Sequence, residues 1–570
     1  MRRPMVRWFD PHQLIDTAVR VLLSGVFSAY ADSREAQGRE PAEVPDRSEH
    51  PDLWLDYVAD LGDGWNSTYT VARLLATEEL ELECDGDSHR TERGRVLVFG
   101  GDAVYPVPKA VEYENRMLGP YRSALPCARA EAPELYAIPG SHDWYDGLVN
   151  FTSIFCRHRW IGGWRTRQRR SYFALKLPNG WWLWGIDIQF GASVDEVQLQ
   201  YFADVAAEHL QPGDRVILCM SKEVDSGRNQ DEIHSDRDVE YLEREIIQPS
   251  GAQVLLYLKS GKHYYSRYEQ EDGPRHHIES GGGGAFLHPT HNLRERRVDL
   301  PAADGPTAFR RAGTYPSAAF SKRLRKRIWL MPAYNIPLAA VFGVVQVLLA
   351  FMLGLHLDDR HLSLGVDDLL RAMWESPTAF LLSLLVLASL VAMVRFAHDA
   401  SGIGRFLLGF AHSTLQVLSV AGVMIAASHL SAAAGLEGTW SLLGFLGLVW
   451  LLGSVSGMMG MAAYLWATGY LGLHGTEAYA PLHHQDQKHF LRLHVQPDGA
   501  LTIYPIGVER VGRRWKLCPD APAHAPWFAS DEPEPEPHLI ERPITIGRPA
   551  VLAMTPGSVS EPSTTSSSPS

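Results

Sequence analysis

Two stretches of sequence decide the fold: RVLVFGGDAVYP at residues 95–106 and ELYAIPGSHDWYDG at residues 134–147. In each, a short apolar run ends abruptly in a glycine that precedes acidic or imidazole side chains. Three further apolar runs end abruptly at polar residues, namely WWLWGIDIQF (181–190), DRVILCM (214–220) and QVLLYLKSG (253–261). Runs of this length bounded by polar clusters are typical of buried strands. The pattern predicts alternating strands and helices over residues 50–300.

The ends of these runs carry the candidate functional side chains. Ligands of open α/β sheets bind beyond the carboxyl ends of the strands. We therefore expect Asp60, Asp102, His142, Asp143 and His263 to converge, although they are far apart in the chain. Carboxylates and imidazoles together suit hard or borderline divalent metals.

The composition is that of a globular protein with a membrane part. The 570 residues include 53 Lys and Arg against 66 Asp and Glu, a net charge of −13, which argues against a nucleic-acid-binding protein. Five scattered cysteines without CxxC spacing exclude a disulfide-rich scaffold and a thiolate zinc site, and they fit a reducing compartment.

Four long apolar runs indicate membrane-spanning helices, at residues 334–357, 378–397, 406–430 and 441–469. Each is near or above the roughly 20 residues that a helix needs to cross a bilayer. The basic stretch 321–329, SKRLRKRIW, precedes the first run and predicts that this end faces the cytoplasm. The loop charges then predict a multi-pass inner-membrane protein with both termini and the soluble part in the cytosol. His412 and Gln416 lie one turn apart in the third run, where hydrogen bonding between helices is favoured over a transport path.

The predicted domain organisation has six parts. An amphipathic helix at 13–30, able to lie on the bilayer or on the soluble part, occupies an N-terminal region 1–48. The α/β domain spans 49–300, a basic linker 301–332, and the four transmembrane helices 333–473. A β-hairpin around Pro497-Asp498-Gly499 is expected in 474–520 and to pack on the α/β domain, because so short a segment does not build its own core. The Pro-, Glu- and Ser-rich residues 521–570 are predicted to be a disordered tail.

The blocks GGDAVYP (100–106) and PGSHDWYDG (139–147) resemble the GD and GNHD blocks of calcineurin-like metallophosphoesterases. ADLGDGWNSTY (59–69) is similar to the first block of that family, and SGKHYYSRY (260–268) to its last. GGGGAFLHPTH (281–291) resembles a segment of membrane-linked bacterial members. The resemblance covers about residues 53–293. It implies an α/β fold class, a metallophosphoesterase β-sandwich with flanking helices, here joined to an all-α bundle of four transmembrane helices.

The resemblance also implies roles for individual residues and a cofactor of one or two divalent metal ions (Mn, Fe, Zn or Mg). Metal ligands would be Asp60, Asp102 as the bridge, Tyr105, Ser141 and His263. His142 would face the leaving group, and Asp143 would orient its imidazole. Lys262 and His288 would contact the substrate.

Three departures from the family pattern fall mainly on the second metal. Ser141 stands for an asparagine, Gly261 for a His or Asp, and Ser221, Lys222 and Glu223 stand where a histidine is expected. Two functions therefore stay open. One is a phosphoesterase that hydrolyses a phosphomonoester or phosphodiester, with a lipid or a nucleotide as substrate. The other is an inactive binding or signalling module on the membrane. The oligomeric state stays open as well.

Overall fold

The computed structural model describes residues 2–27, 43–128, 131–188, 194–221, 238–293, 297–300, 305–354, 402–435 and 437–547, with single helical positions between 366 and 384. The described strands, in chain order, are β1 Leu53–Val58, β2 Glu79–Cys84, β3 Asp87–Glu92, β4 Val96–Phe99, β5 Glu134–Ala137, β6 Trp160–Ile161, β7 Trp164–Thr166, β8 Phe173–Lys176, β9 Trp181–Ile186, β10 Arg215–Met220, β11 Gln253–Lys259, β12 Tyr265–Gln270, β13 His276–Ser280, β14 Arg297–Leu300, β15 Thr307–Tyr315, β16 Lys488–Val495, β17 Leu501–Val508, β18 Trp515–Leu517, β19 Phe528–Ser530, β20 Pro537–Leu539 and β21 Ile544–Ile546.

The described α-helices are α1 Pro11–Phe27, α2 Trp65–Ala76, α3 Ala110–Tyr113, α4 Gly119–Ala124, α5 Val149–Phe155, α6 Glu196–His209, α7 Ala318–Arg325, α8 Met331–Tyr334, α9 Ile336–Gly354, α10 Gly402–Ala433, α11 Gly438–Thr468 and α12 Gly475–Tyr479.

Two large sheets form the soluble part. In the first, the strand order is β20-β17-β16-β1-β4-β5-β7-β6, with β21 also paired to β17. In the second, the order is β14-β15-β12-β13-β11-β10-β9-β8. Strands β1, β4 and β5 are parallel to one another, as are β9, β10, β11 and β13. Their carboxyl ends therefore meet at a common edge of each sheet.

The side chains of β1 explain why the two sheets face each other. Alternate residues of a strand point to opposite faces. Leu53, Leu55 and Tyr57 belong to a buried apolar cluster that also contains Leu183 and Leu258 of the other sheet. The outer faces of the two sheets are covered by α2 and α6 respectively. The predicted mixed α/β architecture is confirmed.

The chain returns from its apolar helices to complete the first sheet. The β16–β17 hairpin is antiparallel, and β16 pairs with β1 from Leu53↔Val495 to Tyr57↔Leu491. Inside this pairing Arg492 is fully buried and forms two hydrogen bonds to Asp56, with Nε to Oδ1 at 2.7 Å and Nη2 to Oδ2 at 3.2 Å. The backbone amide of Gly94 also donates to Asp56 Oδ2. The hairpin is thus fixed to the first strand by a paired charge in the core.

Two predicted boundaries are wrong. The tail expected at 521–570 contains β19, β20 and β21, because β20 and β21 extend the sheet at β17 and Glu541 pairs with Arg267 at 2.7 Å. Residues 548–570 lie outside the described part. The linker expected at 301–332 begins as strand β15, which pairs with β12 and belongs to the second sheet. Short strands that add to an existing edge carry little periodicity of their own.

Two helices, Gly402–Ala433 and the span Gly438–Leu471, are long and apolar enough to cross a membrane. A third candidate is a bent pair, Ala318–Tyr334 and Ile336–Phe351, whose halves meet at 61°. These helices indicate membrane association. Most of the predicted second run, 378–397, lies outside the described residues, so the four-helix bundle and its orientation stay predictions.

We expect Arg492→Met to lower the stability of the sandwich by about 3–5 kcal/mol, because it leaves the buried Asp56 carboxylate without its partner. The measurement is the thermal unfolding of the detergent-solubilised protein. Arg122→Met is the control, since Arg122 and Glu114 form an exposed pair, with their side chains 39% and 50% exposed. Equal melting temperatures for the two variants would contradict a structural role for the Arg492 pair.

Candidate functional site

Loops that follow parallel strands bring the candidate residues together. Asp60 follows β1, Asp102 follows β4, His142 follows β5 and His263 follows β11. Main-chain hydrogen bonds join two of these loops directly, from Asp60 N to Gly101 O and from Leu61 N to Asp102 O. The site therefore lies at the carboxyl ends of strands from both sheets, as the sequence pattern predicts.

The hydroxyl of Tyr105 is the centre of this arrangement. It lies 2.8 Å from Asp60 Oδ1, 3.2 Å from Asp102 Oδ2 and 3.1 Å from His263 Nε2. The exposure of the four side chains is 5% or less. Two carboxylates, a phenol and an imidazole thus converge on one point that is shielded from water.

The outer oxygen of each carboxylate is held by the backbone. Gly261 N donates to Asp60 Oδ2 at 3.1 Å, and His142 N donates to Asp102 Oδ1 at 2.7 Å. Both aspartates have left-handed backbones, with φ of 56° for Asp60 and 47° for Asp102. Such conformations cost of order 1–3 kcal/mol each, and they cluster at functional sites.

Burial strongly raises the pKa values of the two carboxylates in this cluster. Desolvation, followed by the charge of Asp102, raises the pKa of Asp60 well above its usual range. Desolvation raises the pKa of Asp102 to about 6, against hydrogen bonds from His142 N, Tyr105 and the Ser141 hydroxyl that favour the ionised form. Two buried carboxylates that resist joint ionisation form a place where a cation would relieve repulsion.

His263 has a fixed tautomer. Its Nδ1 lies 2.6 Å from Phe286 O, and because a carbonyl only accepts, Nδ1 carries the proton. Nε2 then presents a lone pair toward Tyr105. Burial holds the pKa of His263 well below its usual value, so the ring is neutral at pH 7. A neutral imidazole whose other nitrogen donates to a carbonyl is the usual form of a metal ligand.

His142 and Asp143 do not interact as expected. His142 Nδ1 lies 2.9 Å from Pro106 O, and burial lowers the pKa of this imidazole to about 4. Asp143 Oδ1 accepts from Tyr113 at 2.5 Å, while Oδ2 accepts from Ala103 N and Gly140 N. The prediction that Asp143 orients the imidazole is wrong, because its oxygens instead join the Asp102 and His142 loops.

Of the residues that stand at the expected second metal, Ser141 and Gly261 lie at the cluster. Ser141 is partly buried and lies beside Asp102, and Gly261 has φ of 113°, a conformation that a side chain rarely adopts. Lys222 and Glu223 lie outside the described residues. The described part of the chain therefore brings together the ligands expected for one metal only.

Lys262 and His288 flank His263. The His288 ring stacks on His263 with centroids 4.0 Å apart and is 5% exposed, so it supports the loop more than it faces a substrate. Lys262 is partly buried, and its amide donates to the buried Glu279 at 3.0 Å. Burial is the main cause that lowers the pKa of His288, and the charge of Lys262 adds to it.

Sequence reasoning missed the segment that covers the site. Trp8 packs edge-on against Tyr105 and His142, with centroids 5.7 Å apart in both cases, and against Phe286 at 5.5 Å. Val6 N donates to Asp63 Oδ1 at 2.8 Å. This bond fixes residues 5–9, the N-terminal strap, over the cluster. The signal in the sequence is a tryptophan and a phenylalanine beside basic residues, and it does not reveal where the segment docks.

Lys488 is a second residue that the sequence did not reveal. It is 1% exposed at the start of β16, and its Nζ donates to Ala285 O at 2.7 Å. This bond holds the glycine loop 281–284 in place. There is no room for a side chain at Gly281, because a Cβ added there would lie 2.0 Å from Asp60 Oδ2. Burial lowers the pKa of this ammonium to about 8.

The donor set fits one cation with a phenol among its ligands. Within the described residues, no group of three or more His, Cys, Asp and Glu side chains is arranged to hold a metal ion. The reason is that the Tyr105 hydroxyl lies between the other donors, and His263 Nε2 is 3.9 Å from Asp60 Oδ1. A cation would need the phenol oxygen as a ligand, with its proton displaced.

No family model matches the chain, and no curated protein matches it. Among solved structures, it is similar to GAP50, the anchor in the inner membrane complex of Plasmodium, with 12% identity and a TM-score of 0.30 over 42% of this chain and 74% of that one. It is also similar to PhoD, with 10% identity and a TM-score of 0.26 over 43% of this chain and 59% of that one. Similarities this low carry no argument about function.

We expect the Lys488→Met variant to become less stable relative to the wild type as the pH rises. The folded pKa of Lys488 is lowered, so the unfolded chain binds more protons between about pH 8 and 10.5, and wild-type stability rises across this window. Melting temperatures of both proteins at pH 7 and pH 9.5 measure this difference. A difference that is the same at both pH values would contradict a buried, charged Lys488.

Proposed function

We propose that this chain is a membrane-associated, metal-dependent phosphoesterase of the calcineurin-like kind that holds one cation. The proposal rests above all on one observation: Asp60, Asp102 and His263 all lie within 3.2 Å of the Tyr105 hydroxyl. The family resemblance assigns ligand roles to these same four residues. The two apolar helices support the membrane location.

The chemistry of the donors suits a hard or borderline ion such as Mn²⁺, Fe, Zn²⁺ or Mg²⁺. A cation at these residues supplies Lewis-acid polarisation of a phosphoryl oxygen. The chain itself orients the donors, since backbone amides hold one oxygen of each carboxylate and Phe286 O fixes the His263 tautomer. The buried surroundings exclude water and strengthen every charge interaction with a bound phosphoester.

His142 would act on the leaving group. Its Nδ1 proton is engaged by Pro106 O, so Nε2 is the nitrogen that can face a substrate. The pKa of about 4 makes the free ring neutral. A phosphoester anion bound nearby would raise this pKa, and the imidazolium could then donate a proton to the departing oxygen.

A specific observation favours the alternative of a non-catalytic binding module. Gly261 has a backbone that disfavours a side chain, and the hydroxyl of Tyr105 donates to the Asp60 carboxylate at 2.8 Å, at the point where an ion would lie. A module of this kind would bind a partner or a phosphorylated ligand on the membrane without turnover.

The test is metal content together with hydrolysis of p-nitrophenyl phosphate and bis-p-nitrophenyl phosphate by the detergent-solubilised full chain loaded with manganese. Asp102→Asn should lose both the metal and the turnover, because it removes the carboxylate charge while keeping a residue that tolerates the left-handed backbone. We expect about one metal per wild-type chain, since the described donors suit a single cation.

The matched control is Asp187→Asn. Asp187 is equally buried, but it bonds to Trp144 Nε1 and Ser171 instead of the cluster, so metal and turnover should persist. Metal that is bound and lost in Asp102→Asn, without turnover in the wild type, would support the binding module. A wild type that takes up no metal would refute the phosphoesterase.

Trp8→Ala should raise kcat/KM for these small soluble substrates severalfold, because it removes the ring that covers His142 and Tyr105. Trp8→Phe keeps an aromatic cover and is the control. A kcat/KM that falls in Trp8→Ala would show instead that the indole contacts the substrate.

A further inference from the structure

Helix α1 packs on the protein with its polar face. Asp10 caps its first turn, since His12 N donates to Asp10 Oδ1 at 3.0 Å. On the following turns Asp16 Oδ2 accepts from Lys109 Nζ at 2.9 Å, and Gln13 Nε2 donates to Thr17 Oγ1 at 2.8 Å. The helix is therefore attached to the soluble domain through an ion pair.

The apolar face of the same helix points outward. Leu14 is 43% exposed, Ile15 66% and Val19 48%, and Ala18 between them is exposed too. A surface helix of a soluble protein shows the opposite arrangement, with its apolar stripe on the core. Three large apolar side chains on one outward face need a covering that the chain's described part does not provide.

The position of α1 indicates what covers its outward apolar face. The helix contacts α9, one half of the bent candidate span, and it also contacts the turn Asp143–Asp146 beside the site. Helix α9 itself exposes large apolar side chains along its length, including Ile336, Val344 and Leu348. The outward face of α1 is thus continuous with an apolar surface of membrane-spanning character.

The segment before α1 and the basic region nearby fit the same surface. Met5 and Phe9 share a buried cluster with Met458 and Leu465 of the long apolar helix α11. Four cationic side chains of the basic stretch before α9 are exposed, namely Lys322, Arg323, Lys326 and Arg327, while Arg325 is buried. Arg7, in the segment before α1, is exposed as well. Cations beside an apolar face match the anionic headgroup layer of a bilayer.

We propose that α1 is an interfacial helix whose outward face, Leu14, Ile15, Ala18 and Val19, lies in the surface of the lipid bilayer beside α9. Each apolar side chain removed from water contributes about 25 cal/mol per Å². The polar face keeps its ion pair to Lys109, so the helix fixes the soluble domain against the membrane. This docking does not depend on the proposed hydrolysis, and its test requires no turnover.

The experiment places an environment-sensitive nitrobenzoxadiazole label at Ile15→Cys in the full chain, reconstituted in phospholipid nanodiscs. Some of the lipids carry a nitroxide near the top of the acyl chain. The background replaces by serine the cysteines that are partly or fully exposed, and it keeps Cys219, which is buried; the replaced residues are Cys84, Cys127, Cys156 and Cys518.

Two further label sites calibrate the result. Phe351→Cys, 46% exposed on α9, reports the membrane interior. Ser88→Cys is exposed in the β2–β3 hairpin, which precedes β4 and so lies at the amino ends of the strands, away from the site. We expect the label at 15, and likewise at Val19→Cys, to show emission blue-shifted from that at 88 and nitroxide quenching at least as strong as that at 351.

Two outcomes would overturn the proposal. Emission and quenching at 15 equal to those at 88 would place the apolar face in water. A blue shift without quenching by the lipid nitroxide would show that protein covers the face, whether a second copy of the chain or another partner.

Discussion

The buried pair between Arg492 and Asp56 closes the fold. The chain leaves the second sheet after β15, runs through the apolar helices and returns at β16, which is inserted beside β1 in the first sheet. An unpaired Asp56 in this pairing would leave a charge in the core, and breaking such a pair is strongly destabilising. The apolar block thus leaves and re-enters one and the same sandwich. The ion pair fixes the end at which the chain re-enters the sandwich, and the pairing of β15 with β12 fixes the end from which it leaves.

This closure also places the site next to the helices. The strand that Arg492 anchors, β1, leads into the loop that carries Asp60, and the segment over the cluster packs through Phe9 on α11. The cluster combines two buried carboxylates with left-handed backbones and a phenol whose hydroxyl lies within hydrogen-bond distance of both. A protein retains such strained backbone conformations only where the surrounding structure holds them in place. Here the backbone amides of Gly261 and His142 hold the two aspartates by donating to their carboxylates.

The sequence predicts the fold class and the convergence of Asp60, Asp102 and His263, because parallel strands with abrupt polar ends leave little choice of geometry. It fails at interactions that join distant segments. Trp8 reaches the site from the N-terminus, and Lys488 reaches it from beyond the apolar helices. Neither residue lies in a periodic pattern that reveals its partner. The strands at 528–546 are not predicted for a related reason, since the formation of a three-residue strand depends on the sheet edge that it joins.

The position of Trp8 gives the N-terminal segment a mechanical consequence. Trp8 and the first turn of α1 are separated only by Phe9 and Asp10, and both are held, Phe9 in the apolar cluster and Asp10 as the helix cap. Trp8, which lies over His142, is therefore joined to α1 through two residues that are themselves fixed. The ring is the aromatic group on the strap that lies above Tyr105, and its neighbours Val6 and Met5 are tied by Asp63 and the α11 cluster. The helix proposed to lie on the bilayer and the residue that covers the cluster thus belong to one short segment of the chain.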